Sequence, residues 1–110
     1  MEKDRKRALA NAYKERKVIG GVYSITNRET GKKYIFGSRD LSGAENRFRF
    51  MQTTDTCTVL PMHKEWAHYG RDAFYYEVLE TLEKKEEETA KEFKDEIEVL
   101  TALWQEKMEQ

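Results

Sequence analysis

The sequence contains one cysteine, Cys57, and one proline, Pro61, in 110 residues. A single thiol can form neither an internal disulfide nor a cysteine-based zinc site, and this cysteine usage is typical of a cytoplasmic protein. No apolar run approaches the ~18 residues that a membrane span requires. The charged N-terminus lacks the apolar stretch of a secretory signal. The sequence therefore predicts a cytoplasmic protein with no membrane partner.

Hydrophobic residues are also scarce, at 38%, whereas charged residues reach 37%. Aromatic residues make up 12%, which is enough for a small hydrophobic core and argues against full disorder. The length fits one domain and leaves no room for two. We therefore expect one small folded domain with a free energy of unfolding of about 5–10 kcal/mol.

A formal net charge of −1 hides opposite charges in the two halves of the chain. Residues 1–50 carry 13 Lys/Arg and 6 Asp/Glu, a net of +7, and residues 51–110 carry 7 Lys/Arg and 15 Asp/Glu, a net of −8. This asymmetry favours a polyanionic partner for the basic half. Two solvated faces that attract each other would give the same counts, so both interpretations stay open.

Helical and strand patterns alternate along the chain. Two stretches rich in β-branched and aromatic residues, 22–26 and 33–38, flank a turn over 27–32 and predict an antiparallel hairpin. The doublet Gly20-Gly21 predicts a break before it. The other predicted elements are helices over 2–17, 44–51 and 61–69, a strand over 73–80, and a long helix from about residue 84, whose apolar residues recur every 3–4 positions.

Two short motifs lie on this hairpin, Gly21-Val22-Tyr23 and Tyr34-Ile35-Phe36-Gly37-Ser38, with 11 positions from one tyrosine to the other. The pair resembles the motifs of the GIY-YIG nuclease family, with Val22 in place of isoleucine and Phe36 as an inserted residue. Residues 62–70 and 74–82 resemble the family's next helix and third strand. The resemblance implies an α+β fold, in which helices flank a small three-stranded antiparallel sheet. Together with the helical pattern before it, this predicts a basic N-terminal helix over 1–19 and a GIY-YIG-like domain over 20–110 that ends in a long helix.

The family cleaves DNA by phosphodiester hydrolysis. Its usual parts are a tyrosine, an arginine on the first helix and a divalent metal held by a glutamate on a later helix. The resemblance implies that Tyr23 lies near the general base and that Tyr34 lines the site. It also implies that Arg47 is the catalytic arginine, with Arg49 as the alternative. These residue types suit the chemistry, because arginine presents a planar fork to phosphate oxygens.

The implied metal is Mg²⁺, or Mn²⁺, since such hard cations bind carboxylate oxygens. Glu96 is the expected ligand because Val99 and Leu100 follow it at i+3 and i+4, and Glu98 is the alternative. We expect the glutamate, Tyr23 and Tyr34 to share one cleft. Four basic residues are expected to contact nucleic acid: Lys32, Lys33, Arg39 and Arg49.

The sequence departs from the family pattern within this site. Phe36 is inserted, the arginine is displaced by two positions, and Phe48, Phe50 and Cys57 stand where the family carries histidines. We therefore expect a DNA-binding, GIY-YIG-like protein that is a degenerate or weak metal-dependent endonuclease. Two alternatives stay open, an active endonuclease directed by DNA structure or by a partner, and a non-catalytic protein-interaction module. DNA is the expected partner, with a protein partner or a homodimer left open.

Overall fold

The computed structural model of the protein describes residues 18–108. The predicted helix over 2–17, and with it nearly all of the predicted N-terminal unit 1–19, lies outside the described residues. Two short 3₁₀ turns, Leu60–Met62 and Arg71–Ala73, flank the second helix. The helices and strands are β1 (Ile19–Asn27), β2 (Lys33–Ser38), α1 (Leu41–Thr54), α2 (His63–Tyr69), β3 (Phe74–Glu83) and α3 (Ala90–Met108).

The three strands form one antiparallel sheet in the order β2-β1-β3. The predicted α+β fold class, a small three-stranded antiparallel sheet flanked by helices, is therefore confirmed. None of the helices between residues 18 and 108 is long and apolar enough to cross a membrane.

Strand β1 is longer than predicted, because Gly20 and Gly21 belong to it and do not break it. Gly21 pairs with Ser38 on β2 and with Thr81 on β3. Its φ is +146°, and a Cβ atom there would collide with the backbone carbonyl of Glu80. Glycine is thus needed where β3 passes close to β1, next to the register shift between Val22 and Tyr23.

The two faces of the sheet carry different helices. Side chains alternate along β1, so Tyr23 and Ile25 face one side while Val22 and Ser24 face the other. Helices α1 and α2 cover the side of Tyr23. The buried residues of that layer are Ile25, Phe48, Met51, Met62, Trp66, Ala73 and Phe74.

Helix α3 packs on the opposite side, the side of Val22. Ile97 lies against Gly20 and Gly37, which have no side chain to hold the helix away. Only the first half of the predicted apolar face is buried, at Phe93 and Ile97. Leu103, further along the helix, is 57% exposed.

Several helix boundaries differ from the prediction, and two of them are helix starts with a physical cause. Helix α1 begins at Leu41, three residues early, because the Asp40 carboxylate accepts a hydrogen bond from the Gly43 amide and caps it. Helix α3 begins at Ala90 and not near residue 84, because β3 continues to Glu83 and the Thr89 hydroxyl caps the helix by accepting from the Glu92 amide.

Candidate nucleic-acid interface

Tyr23 and Arg47 meet on the face of the sheet that carries α1. Tyr23 is half-buried, with its ring centroid 5.5 Å from that of Phe36 and 5.1 Å from that of Tyr76. Burial raises the pKa of Tyr23 above its ordinary value of 10.0, and the nearby Arg47 guanidinium opposes this rise. Helix α1 positions the guanidinium, so the structure brings two of the residues singled out in the sequence close together.

Arg47 also lines a cavity of about 420 Å³ at the end of the sheet. Arg39 follows β2 and Lys84 follows β3, and both line the same cavity. Asp40 is the one carboxylate among residues 18–108 that lines it, and the first turn of α3 contributes Ala90 and Phe93. Three cations around one carboxylate create a positive potential that favours a bound anion. A phosphate group suits this site, since Arg47 offers bidentate donors and Lys84 a point charge.

Tyr34 lies on the same face as Tyr23 but is held by α2. It pairs with Ile25 across the sheet, and its hydroxyl donates a hydrogen bond to the Glu65 carboxylate. The Lys32 ammonium lies over its ring, 4.9 Å from the centroid. Burial and the hydrogen bond to Glu65 raise the pKa of Tyr34. The Tyr34 hydroxyl is therefore engaged with α2, and Tyr34 does not line the Arg47 cavity.

Glu96 lies on the far side of the sheet from Tyr23, because all of α3 packs there. It lines a groove beside Leu82 of β3. A hydrogen bond with Glu88 raises the pKa of Glu96. The expectation that Tyr23 and Glu96 share a cleft is therefore not met. The physical reason is the alternation of side chains along β1, which directs Tyr23 away from α3.

Glu98, the alternative ligand, also lies on α3. Its carboxylate is 3.9 Å from the Lys94 ammonium, and it lines a separate cavity with Gly37 and Thr101. It does not line the cavity that holds Arg47. The structure thus brings neither of the two glutamates to the tyrosine and arginine.

The residues of the Arg47 cavity do not fit a divalent cation. Its one carboxylate, Asp40, already accepts the capping hydrogen bond of α1 and stands among three cations. Mg²⁺ prefers several oxygen ligands and a negative surrounding. Between residues 18 and 108, no three His, Cys, Asp or Glu side chains form a group that could hold a metal ion. We therefore derive no step through a metal.

The other predicted contacts to nucleic acid are dispersed. Lys32 and Lys33 lie at the tip of the hairpin, away from the sheet end that carries Arg39. Arg49 forms an ion pair with Glu45, with 2.8 Å between the charged atoms. Only Arg39 of the predicted four lines the cavity.

Sequence reasoning missed Lys84 and Glu65. Lys84 stands at the head of the Lys/Glu-rich run that predicts a helix, and this pattern concealed its place at the end of β3. Glu65 lies 31 positions from Tyr34 in the chain, and no spacing rule connects the two.

No protein-family model and no curated protein matches the chain. The structure is similar to the solved catalytic domain of the homing endonuclease I-TevI. The TM-score is 0.49 and the sequence identity is 18%, over 74% of this chain and 87% of that domain. This is a likeness between two folds at low sequence identity.

Proposed function

We propose that the protein is a GIY-YIG-like domain that binds DNA through the Arg47 cavity and cleaves phosphodiester bonds weakly or not at all. One observation carries the proposal. Three cationic side chains, Arg39, Arg47 and Lys84, come from three separate segments of the chain and line one cavity. A chain of net charge −1 concentrates positive charge at this place.

The chemistry of the cavity supports a nucleic-acid ligand. A phosphate of a DNA backbone carries one negative charge and oxygens that accept from arginine and lysine. Tyr23 lies near enough to Arg47 for the guanidinium to lower the pKa of its hydroxyl, so the two residues are neighbours beside the cavity.

Weak or absent cleavage follows from the separation of the expected parts. Hydrolysis needs stabilisation of the charge on the phosphoryl oxygens together with a base and help for the leaving oxygen. The cavity supplies cations for the first task. The glutamates expected to hold a metal, Glu96 and Glu98, lie on the other face of the sheet.

Fluorescence anisotropy with a labelled DNA duplex tests the binding. Because released counterions drive such binding, affinity should fall steeply between about 50 and 200 mM salt. Arg47→Ala should weaken binding about 5- to 10-fold and reduce the salt slope by about 1, the effect of one lost phosphate contact.

Lys64→Ala is the matched control. It removes one positive charge from an exposed position on α2 and should change the affinity less than about twofold, as a distant surface charge does. Equal losses in Arg47→Ala and Lys64→Ala would contradict the assignment of the cavity. No binding to duplex, branched or single-stranded DNA at low salt would contradict the function itself.

A further inference from the structure

An apolar groove with an acidic lining runs between α3 and the edge strand β3. Its volume is about 420 Å³. It lies on the face of the sheet opposite Tyr23 and belongs to a different surface from the Arg47 cavity. Apolar and acidic side chains line it, among them Leu82, Val99, Leu103, Glu80, Asp95 and Glu96.

The groove exists because α3 covers only part of its face of the sheet. The helix leans toward β2, where Ile97 packs against Gly37 and the Gln105 amide donates to the carbonyl of Ile35 at 3.2 Å. Val99 and Leu103 are left 62% and 57% exposed. Single exposed apolar side chains are ordinary, but a contiguous patch with a charged rim marks a binding surface.

We propose that residues 1–17 of the same chain bind in this α3–β3 groove. The segment carries seven Lys/Arg and three Asp/Glu, and its apolar residues include Leu9 and Tyr13. No lysine or arginine between residues 18 and 108 lines the groove, so its charge is complementary to that of the segment. The apolar side chains of the segment suit the apolar interior of the groove, and its basic side chains suit the acidic residues around it.

The described chain begins near one end of the groove, at Val18, which also lines the Arg47 cavity. The Val18 carbonyl accepts a hydrogen bond of 2.9 Å from the Lys84 amide, and Ile19 pairs with Glu83. The chain therefore reaches β1 next to the end of β3 where Leu82 lies. A segment tethered at this point is present at about millimolar effective concentration, which favours it over free partners. A second copy of the groove is a poor occupant, because two acidic surfaces repel.

Disulfide trapping in the full-length chain tests the proposal. In a Cys57→Ser background, Ala12→Cys is combined with Leu103→Cys, which lies in the groove. The control combines Ala12→Cys with Ala102→Cys, the adjacent residue, which lines the cavity on the other side of α3. Under mild oxidation, the intramolecular disulfide should form at least about tenfold faster in the groove pair than in the control pair.

Two further arms make the result decisive. Val99→Cys replaces Leu103→Cys as a second groove position, and thermal unfolding checks that each variant is folded. Glu80→Lys combined with Glu96→Lys should slow trapping at least about fivefold, as should about 1 M salt, which screens charges beyond ~3 Å.

Equal rates in the groove and control pairs would overturn the proposal. Disulfides between chains would assign the groove to a second copy and would also overturn it. Insensitivity of trapping to the charge reversals and to salt would reject the charge complementarity on which it rests. None of these outcomes depends on DNA binding, so the proposed function stands or falls separately.

Discussion

Tyr76 lies between Tyr23 and Phe48 on the sheet, and its hydroxyl donates to the Leu41 carbonyl at 3.2 Å. Burial, with a smaller contribution from the Glu45 carboxylate, raises the pKa of Tyr76 to about 12. A tyrosine in the unfolded chain ionises near pH 10. Between these two values the unfolded chain releases a proton that the folded protein keeps. The free energy of unfolding should therefore fall as the pH rises through this window.

The free energy of unfolding of Tyr76→Phe should fall less over the same pH window, because phenylalanine has no proton to release. Urea unfolding at several values between about pH 9 and pH 12 measures the slope. The variant also loses the hydrogen bond to Leu41, so its stability at neutral pH should be lower by about 1 kcal/mol. Tyr69→Phe, at an exposed position on α2, should keep the wild-type slope. An unchanged slope in Tyr76→Phe would contradict the assignment.

Gly21 is the glycine of the sheet that leaves the least room for a side chain. A Cβ atom would meet the Glu80 carbonyl, and the φ of +146° is one that other residues rarely adopt. Gly21→Ala should therefore lower the free energy of unfolding by at least about 3 kcal/mol, the range of overpacking combined with backbone strain.

The control for this change is Gly31→Ala. Gly31 also has a positive φ, +77°, but nothing lies within 4 Å of its added Cβ. Only the backbone strain remains, so the loss should be about 1 kcal/mol. Equal losses at the two glycines, measured by chemical denaturation, would show that contact with β3 is not the cause.

At the scale of elements, the N-cap of α1 affects two properties, because Asp40 both stabilises the helix and contributes a negative charge to the Arg47 cavity. Asp40→Ala should lower the free energy of unfolding by about 1 kcal/mol, because the Gly43 amide loses its acceptor. The same change removes the carboxylate that lines the Arg47 cavity, so DNA should bind more tightly.

Asp40→Asn separates the two effects. Asparagine caps helices about as well as aspartate but carries no charge. It should keep the stability and still tighten DNA binding, as measured by denaturation and by anisotropy. Weaker DNA binding in both variants would mean that Asp40 contacts the ligand favourably and would contradict the anion-binding role of the cavity.

The elements also show how far the sequence could predict the fold. The hairpin and its face were predictable, because β-branched and aromatic residues alternate along both strands and place Tyr23 and Tyr34 on the same side. The predicted start of α1 is too late because several residues of the loop 38–42 can cap a helix, and Asp40 is the one that does. The face that α3 covers was not predictable, since it is decided by Gly20 and Gly37, which let Ile97 approach the sheet.

At the scale of the whole molecule, basic and acidic side chains of residues 18–108 gather at two different surfaces of the domain. Arg39 and Arg47, from the basic half, line the cavity at the end of the sheet. Acidic residues of the second half line the α3–β3 groove on the other face. Lys84 lines the basic cavity although it belongs to the acidic half of the sequence. The charge counts of the two halves therefore predicted an asymmetry but not the residues that form the site.

This separation gives an expectation for catalysis by the whole protein. We expect weak or absent nicking of supercoiled plasmid with Mg²⁺ or Mn²⁺. Losing one preorganised group that stabilises developing charge costs ~10²–10³ in rate, and losing a general acid or base costs ~10²–10⁴. A cavity that is lined by Arg47 but lacks a metal-binding set of carboxylates should leave little activity above background.

The nicking assay is decisive when Arg47→Ala, Glu96→Ala and Glu98→Ala are measured beside the wild type. Clear metal-dependent nicking that is abolished by Arg47→Ala and by one of the two glutamate changes would contradict the prediction of a degenerate endonuclease. The glutamate change that abolishes nicking would identify the metal ligand. Such a result would require α3 to move its glutamate around the sheet edge, because Glu96 and Tyr23 lie on opposite faces. Nicking that survives in all three variants would come from a contaminant or another site, since none of the expected groups would then contribute.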